Sequence, residues 1–124
     1  MLRQSKAGKD YILHPMKVAS YMDTDTEKAV AYLHDVLEDT NVTEDELRNM
    51  FPNEIVDTVI ILTHRKDESY FEYISRVSTS KLAKKIKVAD LLHNLDITRI
   101  KEPTKQDYQR LEKYKKAILY LATH

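Results

Sequence analysis

A chain of 124 residues suffices for one domain with one modest core, and 42% hydrophobic with 32% charged residues is the balance of a folded protein. Twenty basic residues against twenty acidic ones leave a formal net charge of zero, so bulk charge favours neither a nucleic-acid nor a membrane partner. The lack of cysteine removes disulfides, thiolate metal sites and a cysteine nucleophile, and leaves any metal to nitrogen and oxygen ligands.

No apolar run approaches the ~18–20 residues of a membrane span and no signal-peptide pattern is visible, so a cytoplasmic protein is expected. One glycine and three prolines leave little material for hairpins. The chain therefore reads as all-α, a compact helical bundle of about seven helices forming a single domain over residues 1–124.

In chain order, Met1 to Leu13 reads as a loop carrying the only glycine, Gly8. His14-Pro15 reads as a helix start, because proline is tolerated in the first helical turn, and Met16, Val18, Ala19 and Met22 continue it. Asp23-Thr24-Asp25-Thr26 is rich in capping residues and precedes a central helix from Glu27 to Glu38. Thr43-x-x-Glu46 is a capping-box pattern for a helix reaching about Met50, and Phe51-Pro52-Asn53 breaks it. Glu54 to Thr63 is the most apolar segment. Its β-branched residues admit a strand, but its 3.6-residue period favours a buried helix. His64 to Glu68 is a charged loop. Ser69 caps a helix with Tyr70, Phe71, Tyr73, Ile74 and Val77, and Ser80 caps the next, from Lys81 to about Ile97. Within that helix Val88, Leu91, Leu92 and Leu95 are the core stripe, and Lys81, Lys84, Lys85 and Lys87 a solvated face, with a phosphate-facing role for one of them as the alternative. After Glu102-Pro103-Thr104 a last amphipathic helix carries Leu111, Tyr114, Ala117, Ile118 and Leu121.

The central helix holds the densest chemistry. Val30, Leu33, His34 and Leu37 fall on one stripe, so His34 meets the core, where an imidazole needs a partner. Asp35, Glu38 and Asp39 crowd one adjacent face, an arrangement that costs stability unless a cation or a proton offsets it. This is a candidate metal and acid/base site. Further along, Asp90 is a carboxylate in apolar company with Asn94 one turn on. Taken singly, His14 is a plausible capping residue, Asp90 a structural hydrogen-bond acceptor and Tyr114 an amphipathic core residue.

Together the residues form an order: a histidine before a short helix, His-Asp in mid-chain, and an aspartate in a late apolar helix. That order resembles the HD-domain phosphohydrolases. Tyr11-Ile12-x-His14-Pro15, then His34-Asp35-Val36-x-Glu38-Asp39-Thr40, then Lys87-x-Ala89-Asp90-x-x-x-Asn94-Leu95, is similar to the hydrolase domain of the RelA/SpoT family and the free-standing small alarmone hydrolases. The similarity runs from about Gly8 to Tyr114. It implies that His14, His34, Asp35 and Asp90 hold one divalent metal, Mn²⁺ first, with Fe²⁺, Zn²⁺, Co²⁺ and Ni²⁺ also suited to such ligands. It implies that Glu38 and Asp39 orient and deprotonate water, and that Asn94 and Tyr114 lie near a nucleotide. The implied reaction removes the 3′-pyrophosphate of guanosine tetra- and pentaphosphate.

Members of that family usually begin with a further helix and then a basic loop that contacts the nucleotide. Here the chain opens almost at the loop, where Ser5 stands at the usual arginine position and Arg3 and Lys6 are the candidate contacts. A missing first helix would expose core and favour a homo-oligomer. The alternatives are an HD hydrolase of another nucleotide phosphate, or a non-catalytic helical module that binds metal and nucleotide.

Overall fold

The computed structural model describes the backbone of residues 8–97 and 104–124 and the side chains of 14–95 and 104–124. The described residues form eight helices: α1 (Gly8–Ser20), α2 (Asp25–Leu33), α3 (Val36–Asp39), α4 (Glu44–Met50), α5 (Asn53–Ile61), α6 (Tyr70–Val77), α7 (Lys81–Ile97) and α8 (Lys105–Thr123). They include no strand, as the all-α reading expects. Arg3 and Lys6, and the break expected at Glu102-Pro103, lie outside the described residues.

Helix starts are set locally. Thr24, Thr43, Ser69 and Thr104 each accept the backbone N–H three residues on, while Glu27, Glu46, Glu72 and Asp107 reach back to the cap's own N–H. Each pair satisfies two amides that the helix itself leaves unbonded. Ser80 accepts the Ala83 N–H at 3.1 Å and opens α7 in a related way.

Two expected helix boundaries fail, and both failures bear on the site. The expected loop over Met1–Leu13 is helical from Gly8, so that Pro15 lies inside α1 rather than at its start. Proline lacks the amide donor and disfavours helix in the residue before it. Packing outweighs that preference: Val18, Ala19 and Met22 are buried, and α1 lies against α2 and α7. Secondly, the expected central helix over Glu27–Glu38 is interrupted at His34 and Asp35, between α2 and α3.

The most apolar segment is the helix α5, with Ile55, Val56, Val59 and Leu62 in the core. The longer α7 is the hub, packing on α1, α2, α5, α6 and α8. Its Ala83, Ile86 and Leu91 are fully buried, but Leu92, expected in the same stripe, is 50% exposed. One residue beyond Leu91 is about 100° further round the helix, which turns Leu92 outward. The lysine face also divides. Lys85 pairs with Asp23 and Glu27 at 2.7 and 2.9 Å, and Lys87 turns inward with 13% of its side chain exposed.

The loop after α5 is held by Arg76. Its guanidinium donates to the Ile61 and Thr63 carbonyls at 2.8 and 3.0 Å, and bridges both Glu68 oxygens at 2.8 Å. Carbonyls at a helix C-terminus lack intrahelical donors, so the side chain closes α5 and fixes the following loop in one contact. Arg76→Ala is expected to cost about 2 kcal/mol, or roughly 8 °C in melting temperature. The Arg76 guanidinium also holds the Glu68 carboxyl down at about 2, against an ordinary value of 4.5. Its contribution is therefore complete above pH 4.5 and is lost as pH falls towards 2. Glu68→Gln should flatten the fall in stability across that window, measured by thermal melts at a series of pH values.

Candidate metal centre and active site

Neighbouring side chains on a regular helix diverge by about 100°, so His34 and Asp35 could not face one point on a continuous helix. The interruption removes that obstacle. His34 ends α2 with helical angles, and Asp35 then takes φ −106° and ψ 2°, outside the helix. This brings Asp35 Oδ2 to 3.2 Å from His34 Nε2. The chain resumes at once, because the Glu38 and Asp39 amides donate to the Asp35 carbonyl at 3.1 and 2.9 Å.

The His34 ring is fixed from behind. Its Nδ1–H donates to the Ala31 carbonyl at 2.6 Å, which directs Nε2 into the cluster. Metal-binding imidazoles usually show this arrangement, one nitrogen on a backbone acceptor and the other on the ion. From α7, Asp90 Oδ1 lies 3.3 Å from His34 Nε2 and 2.6 Å from His14 Nε2 on α1. His14, His34, Asp35 and Asp90 thus place one ligand atom each within 4.8 Å of one another. An ion with bonds of ~2.1 Å separates its ligands by roughly 3.0–4.2 Å, so seating one would take small shifts, with His14 and Asp90 parting from 2.6 Å and the widest pair closing. Two imidazoles with two carboxylates are a donor set suited to a borderline divalent cation. The residues fit the metal that their pattern implies.

Charge is balanced within the cluster. Burial works against a charged His34, yet the adjacent Asp35 and Asp90 carboxylates outweigh it and raise its pKa well above the usual imidazole value. Burial likewise opposes ionisation of Asp90, but Lys87 and His34 hold it well below the ordinary range. The Lys87 ammonium is 2.8 Å from Asp90 Oδ2 and remains charged through that contact despite burial. Asp35 is only half-buried; that burial opposes its ionisation, but His34 keeps its pKa on the low side.

A cavity of about 340 Å³ opens beside these ligands. Glu38 stands on its wall, steered by the His64 backbone N–H at 3.4 Å from Oε2. Glu38 remains exposed on the cavity side, and its partial desolvation together with the Asp35 charge raises its pKa. Asp39, half-buried at the end of α3, does not belong to the described wall. Asn94 and Tyr114 both line the cavity; Asn94 Nδ2 is 3.4 Å from Asp90 Oδ1, and Tyr114 also packs against the core.

Four residues that sequence reasoning passed over join the site. Lys87 was assigned to the solvated face, although its spacing of three from Asp90 permits the ion pair found here. His93, also three residues from Asp90 on α7, stacks on His14 at 4.8 Å, with the two Nδ1 atoms 2.5 Å apart. It thereby holds the back of the His14 ring. Tyr73 donates its hydroxyl to the Leu62 carbonyl at 2.6 Å, and His64 stacks on it at 4.7 Å. No local pattern marks these last two, since only the packing of α6 on the α5 loop brings them to the cavity.

No family model matches the chain. Among curated proteins, the guanosine-3′,5′-bis(diphosphate) 3′-pyrophosphohydrolase MESH1 of Xenopus tropicalis is 31% identical over 123 residues, covering 90% of this chain and 69% of its own length. A guanosine-3′,5′-bis(diphosphate) 3′-pyrophosphohydrolase of Borreliella burgdorferi is 32% identical over 82% of this chain. A probable GTP pyrophosphokinase of Mycobacterium leprae is 33% identical over the same share. The chain spans only 18% and 14% of those two longer proteins.

The metal assignment has a direct test. Asp35→Ala removes a ligand at a position where the backbone has already left the helix. It is expected to abolish stoichiometric Mn²⁺ binding while the helical far-UV signal persists. Full metal content in the variant, read by elemental analysis after desalting, would refute Asp35 as a ligand.

Proposed function

The chain belongs to the RelA/SpoT-type family of guanosine-3′,5′-bis(diphosphate) 3′-pyrophosphohydrolases, and we propose that it removes the 3′-pyrophosphate of guanosine tetra- and pentaphosphate. The observation that carries this reading is the convergence of His14, His34, Asp35 and Asp90 beside a cavity with Glu38 on its wall. We take residues 1–124 as a single HD domain working in the cytoplasm, with Mn²⁺ as its ion.

When bound, that ion supplies positive charge against the phosphoryl oxygens and acidifies water. The protein's own residues do the rest. Water adds to the phosphorus attached to the ribose 3′ oxygen, the bond from phosphorus to that oxygen breaks, and pyrophosphate leaves. Glu38 takes the water's proton, and the released ribose 3′ oxygen takes up a proton from solvent to become the hydroxyl. The His64 N–H keeps the Glu38 carboxylate aimed into the cavity. Asp39, one residue on and off the described wall of the cavity, would have to turn inward to help orient the water. Asn94 contributes an amide and Tyr114 a ring at the nucleotide side of the cavity. Lys87 contributes by holding Asp90 ionised, so that the carboxylate stays a ligand as pH changes.

The experiment is to incubate the Mn²⁺-loaded protein with a panel of guanosine and adenosine phosphates and to separate the products by chromatography. Pyrophosphate is expected from guanosine tetraphosphate, with release stopped by chelator and slowed at least ~100-fold by Glu38→Gln. Phosphate release from a different nucleotide would reassign the substrate. Bound Mn²⁺ with no turnover of any nucleotide would sink the enzymatic reading.

A further inference from the structure

One polar group behind the cavity wall has a place and no partner. The Tyr70 hydroxyl is buried and makes no hydrogen bond among the described residues. Tyr73, its neighbour on the same wall, shows the ordinary solution, with its hydroxyl on the Leu62 carbonyl at 2.6 Å. A buried hydroxyl left unpaired is a standing cost to the fold, so its persistence calls for a reason.

The Tyr70 ring does not need the hydroxyl to stay where it is. The Ser69–Glu72 capping box fixes the start of α6, with Tyr70 as its first residue. The Lys113 ammonium lies 4.5 Å from the ring centroid, and Phe71 and His64 meet the ring edge-on at 6.0 and 6.2 Å. A phenylalanine would keep every one of these contacts. The hydroxyl is surplus to the packing.

Its surroundings suit an anionic acceptor. Tyr70 lines the same cavity as His14, Asp35 and Asp90, and two cations, Lys87 and Lys113, stand on that wall with it. Lys87 is already committed to Asp90, at 2.8 Å. A phosphoryl oxygen brought in beside the ligand cluster has lone pairs to spare and offers the acceptor that the protein withholds.

We propose that Tyr70 is a substrate-binding residue whose hydroxyl, covered in the cavity wall, is uncovered by a small shift of the ring and donates to a phosphoryl oxygen of the pyrophosphoryl group held in the cavity. The inference rests on the phosphate-binding reading of this cavity and names a contact beyond the residues that the HD pattern supplies.

The test compares wild type with Tyr70→Phe in two measurements that need no turnover. Calorimetric titration of the Mn²⁺-loaded proteins with pyrophosphate should show about tenfold weaker binding by the variant, the loss expected for one hydrogen bond to a charged acceptor. Thermal melting without pyrophosphate should show the variant as stable as wild type or more so. Affinities within twofold of each other would overturn the proposal, as would wild-type protein that does not bind pyrophosphate. A melting temperature several degrees lower in Tyr70→Phe would also overturn it, because the hydroxyl would then serve the fold. Failure of the substrate assignment looks different: pyrophosphate binds tenfold less well to the variant, yet guanosine tetraphosphate is not turned over.

Discussion

A single buried carboxylate, Asp90, ties the molecule together. Its Oδ1 receives His14 at 2.6 Å, His34 at 3.3 Å and the Asn94 amide at 3.4 Å, while its Oδ2 receives Lys87 at 2.8 Å. These partners arrive from α1, from the break between α2 and α3, and from α7 itself. An ionised carboxylate this deeply buried is tolerable only when it is paired on both oxygens. The requirement that makes the site chemically potent also forces three helices into register, so site and fold are coupled through one side chain. The coupling explains why α7 is the hub: it carries Asp90, and the helices that deliver ligands pack directly on it.

Around that centre the protein separates two tasks by a single turn of chain. The bend at Asp35 gives up helical hydrogen bonding so that adjacent residues can converge, and α3 then carries Glu38 back toward the cavity. The ligand side of the cluster is held from behind by neutral or cationic groups: the Ala31 carbonyl behind His34, His93 behind His14, and Lys87 behind Asp90. These outer contacts set ring orientation before any ion arrives. Pre-set orientation lowers the cost of assembling a metal site, since ligands that must be ordered on binding weaken it.

The opposite wall is built by different means. Arg76 gathers the end of α5 and the loop beyond it into one charged clamp, and that loop presents the His64 N–H to Glu38. Tyr73 and the His64 ring stack beneath it. This wall depends on long side chains crossing between elements, so its geometry is sensitive to changes far from the ligands.

Much of this was legible in the residues. Capping boxes announced helix starts because the Thr/Ser-x-x-acid pattern satisfies its own backbone, and the apolar period marked α5 and α8 as core-facing. The candidate ligands His14, His34, Asp35 and Asp90 followed from order and residue type, through resemblance to the HD phosphohydrolases, and the fold brings the four together. What the sequence could not state was how neighbours on one helix could share one ion, because a 3.6-residue period argues for continuity through His34-Asp35. Only docking against Asp90 makes the break worthwhile. Pro15 misled for the same reason, since local preference pointed to a helix start and burial of Val18 and Ala19 carried the helix through it. Lys87 reads as surface from composition, yet an unpaired buried Asp90 would be too costly, so tertiary packing drew the lysine inward. The chemistry was written in residue order; its convergence on one point was decided by burial and charge pairing between helices distant in the chain.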